Sequence, residues 1–168
     1  MHLRLAVPED MPAAEAIYTH AVLHGSASFD EQPPPAGYLE EKRATLMAKG
    51  YPFFVLEDAG QVMAYAYAAP YRVRSAYRFT AEHSIYIAPE IQGKGMAQLL
   101  FNGLITACQG LGLKTLIAVI GMAQDQDLET SASVRAHHKA GFELVGALPN
   151  VGYKFGRWCK TVLMVRML

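Results

Sequence analysis

A strand-like run, Ser84-Ile85-Tyr86-Ile87-Ala88-Pro89, leads to Gln92-Gly93-Lys94-Gly95-Met96-Ala97, and apolar residues then recur at helical spacing. Glycines let the backbone adopt positive φ and approach a ligand closely. Successive amide N–H groups can then point into one concavity, and the start of the helix adds partial positive charge. Those are the requirements for holding a pyrophosphate. Two rival phosphate loops fail on the same residues. A dinucleotide G-x-G-x-x-G needs glycine where Gln98 stands, and a Walker loop needs Ser or Thr after its Gly-Lys pair, whereas Gly95 is followed by Met96.

Other residues could do chemistry beside this loop. Alternation along a strand puts Glu82, Ser84 and Tyr86 on one face. A carboxylate at Glu82 could draw in an ammonium group and take its proton, or could serve only to fix sheet geometry. Arg72 and Arg74, at i and i+2 in Arg72-Val73-Arg74, would share one side of an extended segment. Guanidinium groups there can grip a carboxylate or phosphinate in bidentate fashion, or form an ordinary solvated basic loop. His137 can donate a proton near neutral pH, or can be a helix-end histidine favoured by the dipole. His138 lies about 100° round the helix from it, so the two are poorly placed for one metal, and no metal is expected. Cys108 and Cys159 have no zinc-type spacing and read as small hydrophobes.

The elements that must position these groups follow from periodicity. His2 to Val7 reads as a strand, and Pro8-Glu9-Asp10 opens a helix whose apolar face is Ala13, Ala14, Ile17, Ala21 and Val22. Pro33-Pro34-Pro35 breaks the chain before a more polar helix from Ala36 to Lys49. Phe53 to Glu57 and Gln61 to Ala69 form a hairpin about Asp58-Ala59-Gly60. A basic, tyrosine-rich crossing from Tyr71 to Arg78 precedes the strand Thr80 to Ile87. After the glycine loop, Met96, Leu99, Leu100, Leu104 and Ala107 mark an amphipathic helix closed by Gly110 and Gly112. Thr115 to Ile120 is a continuous apolar strand, therefore central. A polar insertion, Gln124 to Glu129, precedes a helix near Ser133 to Lys139, and the last strands run from Gly141 to Leu168.

At 168 residues, with 52% hydrophobic and 18% charged residues and no internal repeat, the chain is expected to form one domain, residues 1–168. Fifteen basic residues balance fifteen acidic ones, which argues against a nucleic-acid partner and against attraction to anionic membranes. No apolar run spans a bilayer, and two cysteines suit a reducing, cytoplasmic setting.

Gln92-x-x-Gly95-x-Ala97 resembles the Gln/Arg-x-x-Gly-x-Gly/Ala signature of the GNAT acetyltransferases. Further stretches resemble the phosphinothricin and methionine sulfoximine acetyltransferase branch: Ala16-Ile17-Tyr18 with Ala27-Ser28-Phe29, Thr80 to Ile87, and Gly152 to Trp158. The resemblance implies an α/β (α+β) fold: one GNAT-like domain with a central mixed, mostly antiparallel twisted sheet flanked by helices. It implies acetyl-CoA as co-substrate and a small amine or amino-acid acceptor. Gln92, Gly93, Lys94, Gly95, Met96, Ala97 and Gln98 would hold the pyrophosphate, and the backbone of Ile85, Tyr86 and Ile87 the thioester and pantetheine. Glu82 would be the base. His137, where related enzymes often have tyrosine, would protonate the leaving thiolate. Phe29, Arg72, Val73, Arg74, Glu82, His83 and Ser84 would line the acceptor site, with Tyr77 and Trp158 as further walls. Thr130 would be a further cofactor contact, standing where relatives commonly have an asparagine that meets the pantetheine or phosphates, after about six extra residues within Gly121 to Glu129. A homodimer is also implied, with the apolar strand Val162 to Leu168 a candidate contributor. Acetylation of peptides or polyamines, and a non-catalytic acyl-CoA sensor, remain alternatives.

Overall fold

The computed structural model describes residues 1–168. Its strands are β1 (His2–Leu5), β2 (Phe53–Asp58), β3 (Gln61–Pro70), β4 (Thr80–Ile87), β5 (Thr115–Ala123), β6 (Glu143–Lys154) and β7 (Arg157–Met167). Its helices are α1 (Met11–His24), α2 (Tyr38–Ala48), α3 (Ala97–Gly110) and α4 (Ala132–Lys139). One mixed sheet runs in the order β1-β2-β3-β4-β5-β7-β6, and every neighbouring pair is antiparallel except β4–β5. Helices α1 and α2 pack on one face, and α3 and α4 on the other. No helix is long and apolar enough to cross a membrane.

Several expected boundaries shift for identifiable reasons. Pro8–Asp10 forms a separate 3₁₀ turn ahead of α1, because Asp10 folds back to accept the Val7 N–H at 2.8 Å and meets Arg4 at 2.6 Å. The start of α2 is delayed to Tyr38 by Gly37, which has a left-handed φ of 87°. Strand β5 continues three residues past Ile120, since its ladder with β7 holds as far as Ala123–Cys159. The strand Val162–Leu168 is not an open surface: it lies inside the sheet as β7, with Val162 and Met164 fully buried. The exposed apolar edge is β6, which carries Leu144, Val145, Leu148, Val151 and Tyr153 into solvent.

The parallel pair has a feature no antiparallel pair shares. Strands β4 and β5 are joined only from Thr80–Thr115 to His83–Ala118, although β4 runs on to Ile87 and β5 to Ala123. Past His83 they part. The β5-facing backbone groups of Ser84 to Ile87 therefore have no strand partner, and the sheet opens into a fork that points toward the Gln92–Ala97 loop.

Candidate active site

At the tip of the fork, the loop turns through Gly93 (φ 74°) and Gly95 (φ 78°). A Cβ would meet nothing within 4 Å at either position, so glycine is required there for conformation rather than for space. The backbone N–H groups of Gly93, Lys94, Gly95, Met96 and Ala97 donate to no protein acceptor, while Gln98 and Leu99 begin the helical pattern by bonding to Gly95 and Met96. Consecutive free N–H groups at a helix start form an anion cradle. Two glutamines frame it. The Gln92 amide donates to the Ile87 carbonyl at 3.0 Å, closing the loop on the end of β4, and Gln98 donates to the Ala136 carbonyl of α4 at 3.0 Å. Gln98 thus ties α3 to α4 with its side chain. Lys94 is exposed beside the cradle, and Met96 and Ala97 pack against the core.

On the α1/α2 face of the sheet, Glu82 and Ser84 share a cleft of about 240 Å³ with Lys42 and Leu46 of α2 and Tyr67, Ala69 and Pro70 of β3. The register makes this cleft: Ala69 pairs with Glu82 and Tyr67 with Ser84, so their side chains rise together. Burial raises the Glu82 carboxyl above its ordinary value, and Arg72 and Lys42 pull it back only in part. Arg72 therefore sits close enough to act on Glu82, while its guanidinium lies 5.1 Å from the Tyr71 ring. Arg74 and Val73 are exposed, and the Arg74 side chain makes no hydrogen bond or ion pair, though its carbonyl accepts the Tyr77 N–H at 3.0 Å. The base of their loop is tied by Tyr71 N–H to the Thr80 carbonyl, and Tyr77 packs edge-on against Tyr71. Trp158 packs against Tyr153 and is not among the residues lining the cleft.

Lys42 and Tyr67 escaped the sequence reading. Lys42 lies in a polar helix with Glu40, Glu41 and Arg43, where one more charge carries no signal. Only the packing of α2 on β3 turns it inward, with its Nζ 3.3 Å from the Tyr67 hydroxyl and 4.7 Å from the centre of the Tyr38 ring.

Phe29 reaches the Glu82 face by a different route. A Cβ at Gly121 or Gly152 would lie 2.6 Å from its ring, so the ring rests on two bare glycines of β5 and β6. Its loop is held from both sides. Lys154, 2% exposed, donates to the Gly25 and Ser28 carbonyls at 2.9 and 2.7 Å. Tyr18, edge-on to Tyr86, bonds Ser28 at 2.9 Å and Asp30 at 2.6 Å. Thr130 lies elsewhere: it is exposed in the polar insertion, and its hydroxyl donates to the Asp127 carbonyl at 2.9 Å.

The two histidines meet on the opposite face. Strand alternation turns the His83 side chain away from the cleft, and its Nε2 lies 3.0 Å from His137 Nε2 in a cage with Phe101 and Phe142. His137 Nδ1 lies 2.7 Å from the Ser133 carbonyl, which can only accept. The consistent tautomers have His137 donating from Nδ1 to Ser133 and accepting at Nε2 from His83. Burial lowers both pKa values below the ordinary 6.5; His83 is lowered further by its partner, and the Ser133 bond offsets part of the shift at His137. Both rings are neutral at pH 7. This arrangement does not suit the expected proton donor, because the one His137 N–H is already committed. No group of three or more His, Cys, Asp or Glu side chains is gathered as a metal site requires.

Known proteins share this chain's sequence and fold. The Acetyltransferase (GNAT) family profile matches residues 15–142. The chain is 44% identical over 166 residues to a phosphinothricin N-acetyltransferase of Alcaligenes faecalis, covering 99% of this chain and 82% of that one. It is 34% identical over 164 residues to an L-methionine sulfoximine/L-methionine sulfone acetyltransferase of Salmonella typhimurium, covering 98% and 92%. It superposes with a TM-score of 0.91, at 39% identity and covering 99% and 88%, on a GNAT superfamily phosphinothricin acetyltransferase from Sinorhizobium meliloti crystallised with AcCoA.

The histidine pair has a consequence for stability. Depressed pKa values mean that the unfolded chain binds protons the fold excludes, so the stabilisation is complete above pH 6.5 and is lost as pH falls below it. Urea unfolding between pH 7.5 and 4.5 should show the midpoint declining with acidity. His83→Gln should flatten that decline, and an unchanged slope would contradict the assignment.

Proposed function

The chain belongs to the GNAT acetyltransferase family, and on that basis we propose that it transfers the acetyl group of acetyl-CoA to the amino group of a small amino acid or analogue. Methionine sulfone, methionine sulfoximine and phosphinothricin, named for its relatives, are the acceptor type. The observation that carries the reading is Glu82: a half-buried carboxylate of raised pKa, on the strand that forms one arm of the fork, in a cleft of about 240 Å³.

In this reading the pyrophosphate sits on the Gly93–Ala97 amides, and the pantetheine lies along the free edge of Ser84 to Ile87. The thioester then reaches the fork beside Glu82. The acceptor enters past Arg72, which meets its carboxylate, while Phe29 and Ser84 complete the walls. The ammonium passes a proton to Glu82, directly or through a water, and the freed amine attacks the thioester carbonyl in a ternary complex. A C–N bond forms, the C–S bond breaks, and the thiolate leaves to be protonated. Preorganised amides aimed at the carbonyl oxygen stabilise its developing charge. We assign His137 to positioning: through His83 it holds α4 against β4 at the point where the strands part. Cys108 and Cys159 are free and buried, and burial raises the Cys108 thiol to about 11, which supports direct attack over an acyl-cysteine. The same reading places the enzyme in the reducing cytoplasm. It also makes it a homodimer joined at the apolar edge β6, a state that sedimentation velocity reads directly.

Glu82→Gln should lower kcat by about 10²- to 10⁴-fold, the usual contribution of a positioned base, and leave acetyl-CoA affinity intact. Because the pKa of Glu82 is raised, the base form is lost as pH falls through a value above 4.5, so the acid limb of kcat/KM lies above that pH. Steady-state pH profiles of the wild type and the variant check this. A variant that keeps both its rate and the limb would remove Glu82 from the mechanism.

A further inference from the structure

Two cations act on Glu82, Lys42 from within the cleft and the exposed Arg72 from outside its lining, one more than a neutral amino acid needs. A zwitterion brings one ammonium, matched by Glu82, and one carboxylate, matched by Arg72. Lys42 is left over. It lines the same cleft from α2, one helical turn before Leu46, and acts electrostatically on Glu82 without forming an ion pair.

Its surroundings hold the charge without using it up. The ammonium stands 4.7 Å from the Tyr38 ring centre and 5.2 Å from that of Tyr67, so two aromatic faces stabilise a cation there. Its hydrogen bond to the Tyr67 hydroxyl is long at 3.3 Å, and the Tyr38 hydroxyl also acts on it. An ammonium has three donors, so at least one remains for an acceptor. The helix fixes where they point. Lys42 and Tyr38 are i and i+4 neighbours on α2, and Tyr67 is anchored opposite Ser84 in the sheet. The cations are separated: Arg72 follows the end of β3, exposed and outside the lining of the cleft, and Lys42 lines the cleft beside Tyr67.

We propose that Lys42 is a specificity residue that selects acceptors bearing a second anion at the end of the side chain, a phosphinate or carboxylate, over those ending in a neutral sulfone. This rests on the amino-acid acetyltransferase reading above. Three complementary pairs then fill the cleft: ammonium with Glu82, α-carboxylate with Arg72, and the terminal anion with Lys42 in its tyrosine cage. A sulfone offers oxygens to the same donors but no net charge, so it gains only neutral-acceptor hydrogen bonds.

The test is the ratio of kcat/KM for L-phosphinothricin to that for L-methionine sulfone, measured with acetyl-CoA on the wild type, Lys42→Met and Lys42→Arg. Lys42→Met should lower the ratio about tenfold or more, mainly through KM for phosphinothricin, because a charged hydrogen bond is lost. Lys42→Arg should restore most of it. Should Lys42→Met fail to fold by circular dichroism, Lys42→Gln reads the same ratio. A ratio unchanged in the variant, with both acceptors weakened alike, would make Lys42 a packing residue and overturn the proposal. A wild type that acetylates neither amino acid, but does acetylate peptides or polyamines, would instead overturn the functional reading on which it rests.

Discussion

The parting of β4 from β5 after His83–Ala118 is the constraint on which the rest of the molecule depends. A sheet interior is expected to satisfy its own backbone, and unpaired groups inside it cost free energy unless something else meets them. Here four ladder pairs hold the strands together, and beyond them both run on without each other. The opening is kept by what surrounds it. Strand β3 pairs with β4 from Ala64–Ile87 to Pro70–Ala81, and β7 pairs with β5 from Thr115–Met167 to Ala123–Cys159. Each arm is therefore rigid on its outer side. The buried His83–His137 bond links β4 to α4, which follows β5 in the chain, on the α3/α4 face at the crotch of the fork. The fork leaves the β5-facing backbone of β4 without a strand partner past His83, and the Gly93–Ala97 amides lie beyond its open end.

The opposite face shows how distant segments come to act together. Lys154 near the end of β6 holds the backbone at Gly25 and Ser28, the bare glycines 121 and 152 seat Phe29, and Tyr18 bridges Tyr86 to Ser28 and Asp30. Separate stretches around residues 16–18, 27–29 and 152–158 are thus parts of one contact. Burying the Lys154 ammonium is costly, and two carbonyls and the Phe155 ring at 4.8 Å offset that cost.

Local features were legible in the sequence where one side chain type answers one physical demand. The glycines of the cradle, the alternation of Glu82, Ser84 and Tyr86, and the period of α3 all fall in this class, and β4 spans Thr80–Ile87 as its pattern predicts. What could not be read depends on tertiary neighbours. Alternation already turns the His83 side chain across the sheet from Glu82 and Ser84, but its pairing with His137, fifty-four residues away, depends on tertiary packing. Lys42 became part of the cleft only through the packing of α2 on the sheet, and Gln98 turned to α4, where the Ala136 carbonyl accepts it as well as the Ala140 N–H. The apolar run in β7 gave no sign of whether it was interior or edge. The strand order decides that, and it leaves β6 outside.

In the proposed mechanism, main-chain amides in the fork and in the cradle hold acetyl-CoA. Hydrogen–deuterium exchange on the protein with and without saturating acetyl-CoA tests it directly. Exchange should slow most at Ile85–Ile87 and at Gly93–Ala97, the segments whose amides gain partners. Acetyl-CoA that binds by calorimetry yet leaves both segments exchanging as before would contradict the claim.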